Sequence, residues 1–310
     1  MSDPTGFIKY SREDIARRPV ALRVQDWRDI YETPPETFIP KLQQQASRCM
    51  DCGVPFCQVS PGCPLENLIP DWNDLVHQGD WKEALNELHR TNNFPEFTGK
   101  LCPAPCESAC VLGIDSEPVA IRSIESSIID RGFQAGWVVP QITSQDSGKS
   151  VAVIGSGPAG LAAAQQLRRL GHHVTVFEKS DQIGGLLRYG IPDFKMEKTL
   201  LDRRLEQIRK EGVQFKSGIE VGTDISVKEL RANFHAICLT VGADQPRRLE
   251  VPGQDLKGVH LAMDFLIQQN RRNAGQVIPE EEVIFAAGKR VVILGGGDTG
   301  SDCLGTVHRQ

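Results

Sequence analysis

Apolar residues recur along this chain in two rhythms. Trp81, Ala84, Leu85 and Leu88 fall at helical spacing and predict a short amphipathic helix, and residues 119–129 carry the same period. Further on the rhythm changes to short apolar runs at 151–154, 173–178, 236–239 and 291–294, each of which predicts a strand, the first of them buried. A polar stretch rich in Ser, Thr, Asp and Gly at 141–148 separates the two regimes and predicts a linker. Between the first two apolar runs lie a glycine-rich turn, 155–160, and a helix-like segment to Leu170. Strand, turn, helix, strand is a βαβ unit, so an α/β fold with a parallel sheet is expected. The last run opens a second such unit that stops at Gln310, incomplete, as in a piece of a longer chain. The expected organisation is a helical domain over 1–145, a dinucleotide-binding domain over 146–288, and the start of a second nucleotide domain over 289–310.

Composition narrows this picture. A length of 310 residues suggests roughly two domains. The net charge of −5 and the absence of a basic stripe argue against a nucleic-acid partner. No apolar run approaches the roughly 20 residues of a membrane span. The first residues lack the charged-then-apolar pattern of a signal peptide. A cytoplasmic location is therefore expected, and structural disulfides are not. That matters because seven of the nine cysteines lie between residues 49 and 110, so their density points to metal.

The first glycine turn is Gly155-Ser156-Gly157-Pro158-Ala159-Gly160, which fits G-x-G-x-x-G. The first glycine permits a tight turn, the second lets a pyrophosphate approach the backbone, and the third lets helix and strand pack closely. Phosphates there meet free N–H groups at a helix N-terminus. Glu178 closes the second strand, where an acid accepts from ribose hydroxyls. Asp181 to Leu186 follows with a glycine pair, and 240–243 follows the run at 236–239; both resemble segments of flavoproteins that bind two dinucleotides. The second turn, Gly295-Gly296-Gly297-Asp298-Thr299-Gly300, repeats the pattern and suits a nicotinamide cofactor. Asp298 and Thr299 stand where they can cap the helix or face the cofactor. Cys238 and Cys303 are expected to be structural, and the seven histidines are scattered over surface and packing positions.

The clustered cysteines are spaced C-x2-C-x4-C-x5-C (Cys49, Cys52, Cys57, Cys63, then Pro64) and C-x3-C-x3-C (Cys102, Cys106, Cys110). Zinc modules present two close pairs, and here there is one. Iron–sulfur proteins use a run of thiolates and a more remote Cys-Pro that can serve a second cluster. By that logic Cys49, Cys52 and Cys57 hold one 4Fe-4S cluster, and Cys63 joins Cys102, Cys106 and Cys110 on another. Four ligands for each cluster exceed the seven thiols available, so one site must take a ligand of another kind or lack an iron. Glu125, on the helix expected at 119–129, is the candidate. Pro103 and Pro105 exclude a regular helix through Cys102–Cys106.

With these segments on the page the chain resembles a known family. Gly6-Phe-Ile-Lys-Tyr10, the run from Cys49 to Cys57, Thr91 to Gly99, Cys102-Pro-Ala-Pro-Cys106 and Gly295 to Cys303 are similar to the small (β) subunit of glutamate synthase. The resemblance implies a helical domain with two 4Fe-4S clusters, followed by a Rossmann-like flavoprotein fold for FAD and NADPH (or NADH). A related module opens dihydropyrimidine dehydrogenase, where the first cluster takes a glutamine at the point matching Glu125. The same similarity implies that Ser156 to Gly160, Glu178, Lys179, Gly185, Leu186, Lys195 and Val221 line FAD. It also implies that the second glycine turn, Gly295 to Thr299, meets the nicotinamide nucleotide. Lys195 stands where the relative has arginine. The implied activity is electron input to a large (α) subunit that makes glutamate from glutamine and 2-oxoglutarate. An NAD(P)H reductase subunit with another acceptor, such as ferredoxin, and a zinc-stapled scaffold are the alternatives.

Overall fold

The computed structural model describes residues 3–32, 38–246 and 249–310. Contacts divide the chain into two compact units. One comprises residues 1–18 and 30–139, the other 19–29 and 140–310.

The first unit is helical. Its main helices are α1 (Ile39–Ser47), α2 (Ile69–Gln78), α3 (Trp81–His89), α4 (Pro95–Leu101), the single turn α5 (Pro105–Ser108) and α6 (Ile121–Gln134). Prolines stand in the first turn of α2, α4 and α5, where a missing N–H costs nothing. Gly79 ends α2 in the left-handed conformation that lets the chain reverse into α3. The face of α3 set by Trp81, Ala84, Leu85 and Leu88 is buried, as the periodicity predicts. It packs with Trp72 and Val76 of α2 and with Ile121, Ile124, Ile128 and Ile129 of α6. Helix α6 begins two residues later than the expected 119 and runs five residues beyond 129. Cys57, Cys63 and Cys106 belong to this same apolar core, and Cys49 and Cys110 pack against it.

The second unit is an α/β layer. Strands β1 (Ser150–Ile154), β2 (His173–Glu178), β3 (Gln214–Ser217) and β4 (Ala236–Leu239) form a parallel sheet in the order β3-β2-β1-β4. Helix α7 (Pro158–Arg169) links β1 to β2, α8 (Lys198–Lys210) precedes β3, and α9 (Val227–Asn233) precedes β4. The α9 N-terminus carries a capping box between Ser226 and Glu229. Ala152, Ile154, Phe177 and Leu230 form one apolar cluster between sheet and helix. Glu211, 1% exposed, ties α7 to the end of α8: it accepts two hydrogen bonds from Arg169 and others from Gln165 and Gln207.

One expected strand is not formed. Residues 291–294 have no strand partner among the described residues, and Val292 and Leu294 are largely exposed. An apolar run becomes a strand only where a neighbour satisfies its backbone N–H and C=O groups, and none of β1 to β4 pairs with it. The helix after it does form: α11 (Asp298–Val307) packs on α10 (Ala262–Asn273) through Cys303, Phe265 and Leu266. No helix among the described residues is long and apolar enough to cross a membrane.

Candidate functional site

The cysteines of the first unit resolve into two groups, and not the two that spacing suggests. Cys49, Cys52, Cys57 and Cys110 line one pocket together with Phe56, Pro70 and Leu112. Cys63 interacts electrostatically with Cys102 and Cys106, as does Glu125. Cys110 therefore moves from the second set to the first, and Glu125 stands with the second. The cause is local. Helix α5 lasts one turn, and Cys110 leaves it in extended conformation, so it does not share the side of Cys106 as i and i+4 in a continuous helix would. Among the described residues no three His, Cys, Asp or Glu side chains close on a single ion, so the thiols share a pocket wall rather than one point.

The backbone is bent to bring these sulfurs together. Only three described residues other than glycine have positive φ: Asp51 (44°), Glu66 (55°) and Ala104 (56°). Asp51 lies between Cys49 and Cys52, Ala104 between Cys102 and Cys106, and Glu66 just beyond Cys63. Left-handed backbone at a residue with a side chain is sparsely populated and concentrates at ligand clamps. At Ala104 the turn points its N–H at Cys102 Sγ, 3.4 Å away. As expected, the helix breaks at Cys102 and restarts at Pro105.

Electrostatics suit a cationic occupant. Burial pushes the Cys49 thiol up to about 11. Burial, and then the neighbouring Cys49, Cys110 and Cys52, push Cys57 up to about 12. Burial also raises Cys102 and Cys106, with Glu125 and Cys63 adding to it. Crowded, desolvated thiols resist ionisation, whereas iron ions reverse that balance and favour thiolate. Glu125 is buried at 5% exposure, and burial pushes its carboxyl up to about 7. Thr98 Oγ1 and Asn92 Nδ2 both donate to its Oε1. Asn92 in turn donates to Thr98 and accepts from the Phe94 N–H, which explains the polar residues in the segment Thr91 to Gly99. Next to the first group, Arg48 is 1% exposed and gives its hydrogen bonds to the carbonyls of Tyr10, Glu117 and Pro118. A buried cation beside Cys110 would be matched by the negative charge of a thiolate-ligated cluster. The donor set therefore fits iron–sulfur ligation. The left-handed turns, Arg48 and the Asn92–Thr98 support were outside the reach of spacing rules.

In the second unit the first glycine turn forms a cradle. Gly155 has φ +102°, and a Cβ on it would lie 2.4 Å from Thr240 O. A Cβ on Gly160 would lie 2.0 Å from Gly155 O. A Cβ on Gly157 would meet nothing within 4 Å. Gly157 is the N-cap of α7, and Pro158 and Ala159 behind it are exposed. An open helix N-terminus with room at one glycine fits a pyrophosphate. Glu178 accepts from the Ser156 N–H and Oγ–H on one oxygen (3.0 and 2.6 Å) and from the Ser180 N–H on the other (2.9 Å). Gly184 N–H donates to Ser156 Oγ, so the acid at the strand end also fixes both turns. Of the other expected lining residues, Gly185 abuts Gly157, Leu186 is exposed, and Val221 packs against the cluster of Ala152, Ile154, Phe177 and Leu230. Lys179 is paired with Asp244, and Lys195 with Asp302 of α11.

The second turn is open in the same way: a Cβ on Gly296 or Gly297 would meet nothing within 4 Å. Gly297 is its N-cap, and neither Asp298 nor Thr299 caps the helix with its side chain.

Residues 149–310, more than half of the chain, match the profile of the pyridine nucleotide-disulphide oxidoreductases. The chain belongs to that family. Residues 23–137 match the profile described as dihydropyrimidine dehydrogenase domain II, 4Fe-4S cluster. Along its whole length this oxidoreductase chain is homologous to glutamate synthase small chains. It is 60% identical over 314 residues to the NADPH enzyme's small chain from Mycobacterium tuberculosis, covering 100% of this chain and 63% of the relative. It is 49% identical over 317 residues to that of Bacillus subtilis, covering 100% and 64%. It is 48% identical over 307 residues to the NADH glutamate synthase of Schizosaccharomyces pombe, covering 98% and 14%. The chain thus spans just under two thirds of the length of the small chains it matches.

Proposed function

We propose that this chain is the electron-input part of a glutamate synthase, working in the cytoplasm with a large (α) subunit. FAD and two 4Fe-4S clusters, when bound, would turn a hydride from NADPH (or NADH) into single electrons for that subunit. The chain's own residues bind and orient. Ser156 to Gly160 would receive the FAD pyrophosphate at the α7 N-terminus, with Glu178 and Ser156 holding the turn. Lys179, Gly185, Leu186, Lys195 and Val221 would border the rest of the flavin nucleotide. Gly295 to Thr299 would receive the nicotinamide nucleotide at the α11 N-terminus. Cys49, Cys52, Cys57 and Cys110 would hold the first cluster, and Cys63, Cys102, Cys106 and Glu125 the second. Cys52 is exposed, and Val54 and Phe56 beside it are exposed apolar residues. That suits electron exit to a partner protein.

The observation that carries this reading is the convergence of seven thiols and one buried carboxyl into two ligand groups, in a chain whose other unit presents a dinucleotide cradle. The intact protein, prepared without oxygen and combined with the large subunit, is expected to couple NADPH oxidation to glutamate formation. NADPH-driven reduction of ferredoxin-type acceptors, with no glutamate formed, would favour the reductase alternative. Bound zinc without iron or acid-labile sulfide would sink both.

A further inference from the structure

Helix α2 carries a polar side chain that the fold itself does not use. Asn73 is 0% exposed, and neither its Nδ2 nor its Oδ1 has a hydrogen-bond partner of good geometry in the protein. Its helical neighbours on the buried face are Ile69, Trp72 and Val76, so an aliphatic side chain would suit the packing better. A fully buried amide with both ends unmet requires an explanation, and sites of redox chemistry are a recognised one.

Position supplies the explanation. Pro70, one helical turn before Asn73 and on the same face, lines the pocket of Cys49, Cys52, Cys57 and Cys110. The Asn73 amide lies within reach of the Cys49 sulfur. We infer that Asn73 is a positioning residue that donates an N–H···S hydrogen bond to the Cys49 sulfur and thereby raises the reduction potential of the cluster on that pocket. The inference rests on the reading that those four thiols hold an iron–sulfur cluster.

The chemistry is a one-electron balance. Reduction adds one negative charge, spread over iron and the surrounding sulfurs, with the electron drawn from the nicotinamide nucleotide or a mediator. A donor aimed at one of those sulfurs favours the reduced form, and hydrogen bonds to sulfur are among the factors that set cluster potentials. The apolar surroundings strengthen the effect, because no water competes for the amide.

The test is an EPR-monitored redox titration of the intact, iron-loaded protein without oxygen. Asn73→Leu removes the donor at similar volume. Asn73→Asp keeps the shape, removes the donor and adds an acceptor. Both are expected to lower the reduced-to-oxidised ratio of one cluster by up to about tenfold at fixed potential, about 59 mV for one electron. The other cluster's signal stays where it is, as an internal control. Unchanged potentials in both variants, equal shifts at both clusters, or loss of the first cluster in both variants would each overturn the inference. Wild-type protein without iron and sulfide would instead remove the cluster reading on which it rests.

Discussion

A single methyl group separates the roles of the three glycines in the first turn. Gly157 has φ −64° and ψ 178°, which alanine adopts readily, and its Cβ direction is empty. Gly157→Ala is therefore expected to change the stability of the cofactor-free protein by no more than about 1 kcal/mol, the gain in backbone entropy being offset by the poorer N-cap. The same methyl would occupy the space a pyrophosphate needs, so flavin affinity should fall at least about tenfold, or about 1.4 kcal/mol. Gly155→Ala differs, because it meets Thr240 O and demands a left-handed alanine; it should cost roughly 1–3 kcal/mol in folding. Thermal melts and a flavin titration by fluorescence check both. The spacing of these glycines made their division of labour legible in advance. Glu178 was legible only in part: strand-end position marks it as a ribose acceptor, but its hold on Ser156 and Ser180 depends on a loop conformation that no local pattern encodes.

Among the elements, helix α8 carries a charge in an awkward place. Lys198 is its first residue, at the positive end of the helix dipole, and is largely buried. Its ammonium donates to Ile191 O and lies 3.5 Å from Asp193. Burial outweighs the attraction of Asp193 and lowers its pKa from 10.5 to about 8. Below pH 8 both folded and unfolded chains hold the proton, and the burial penalty is complete. Above it the folded chain sheds the proton while the unfolded chain keeps it to pH 10.5, so stability rises with pH across that window. The gain is at most about 3 kcal/mol. Tyr189, raised to about 12 first by burial and then by Asp181, works in the opposite sense once unfolded tyrosine ionises near pH 10. Buried thiols such as Cys49 and Cys57 act in the same sense as Tyr189, so the check is a comparison: in urea titrations at about pH 7.5 and about pH 9.5, wild type should gain stability relative to Lys198→Met as the pH rises. Elements with a strong period of their own, such as α3 and the β1–α7–β2 unit, were legible from the sequence. The run at 291–294 was not, because a strand is a property of a pair and its apolar pattern names no partner.

On the scale of the whole molecule, the crowding of seven thiols into one stretch was legible and the way the fold groups them was not. Cys106 and Cys110 are four residues apart, yet a helix one turn long separates them: Cys110 lines the pocket of Cys49, Cys52 and Cys57, while Cys106 neighbours Cys63 and Cys102. The regrouping yields a prediction. Cys110→Ala should remove the same cluster signal as Cys52→Ala, and Cys63→Ala should remove the signal lost in Cys102→Ala. Each variant should lose about half of the bound iron, since on the proposed assignment each cluster would be held by its own four ligands. If Cys110→Ala instead abolished the signal that Cys102→Ala abolishes, the partition would be wrong. Iron analysis with low-temperature EPR distinguishes the two outcomes.

On the proposed assignment the ligands of the two clusters alternate along the chain: Cys49, Cys52 and Cys57 serve one, Cys63, Cys102 and Cys106 the other, and Cys110 returns to the first. Such crossed stitching bears on how the protein is made. A nascent chain cannot close its first cage until Cys110 has left the ribosome, nor its second until Glu125 has. Iron loading therefore has to wait for both loops, and a chain cut anywhere before Cys110 forfeits the two cages together.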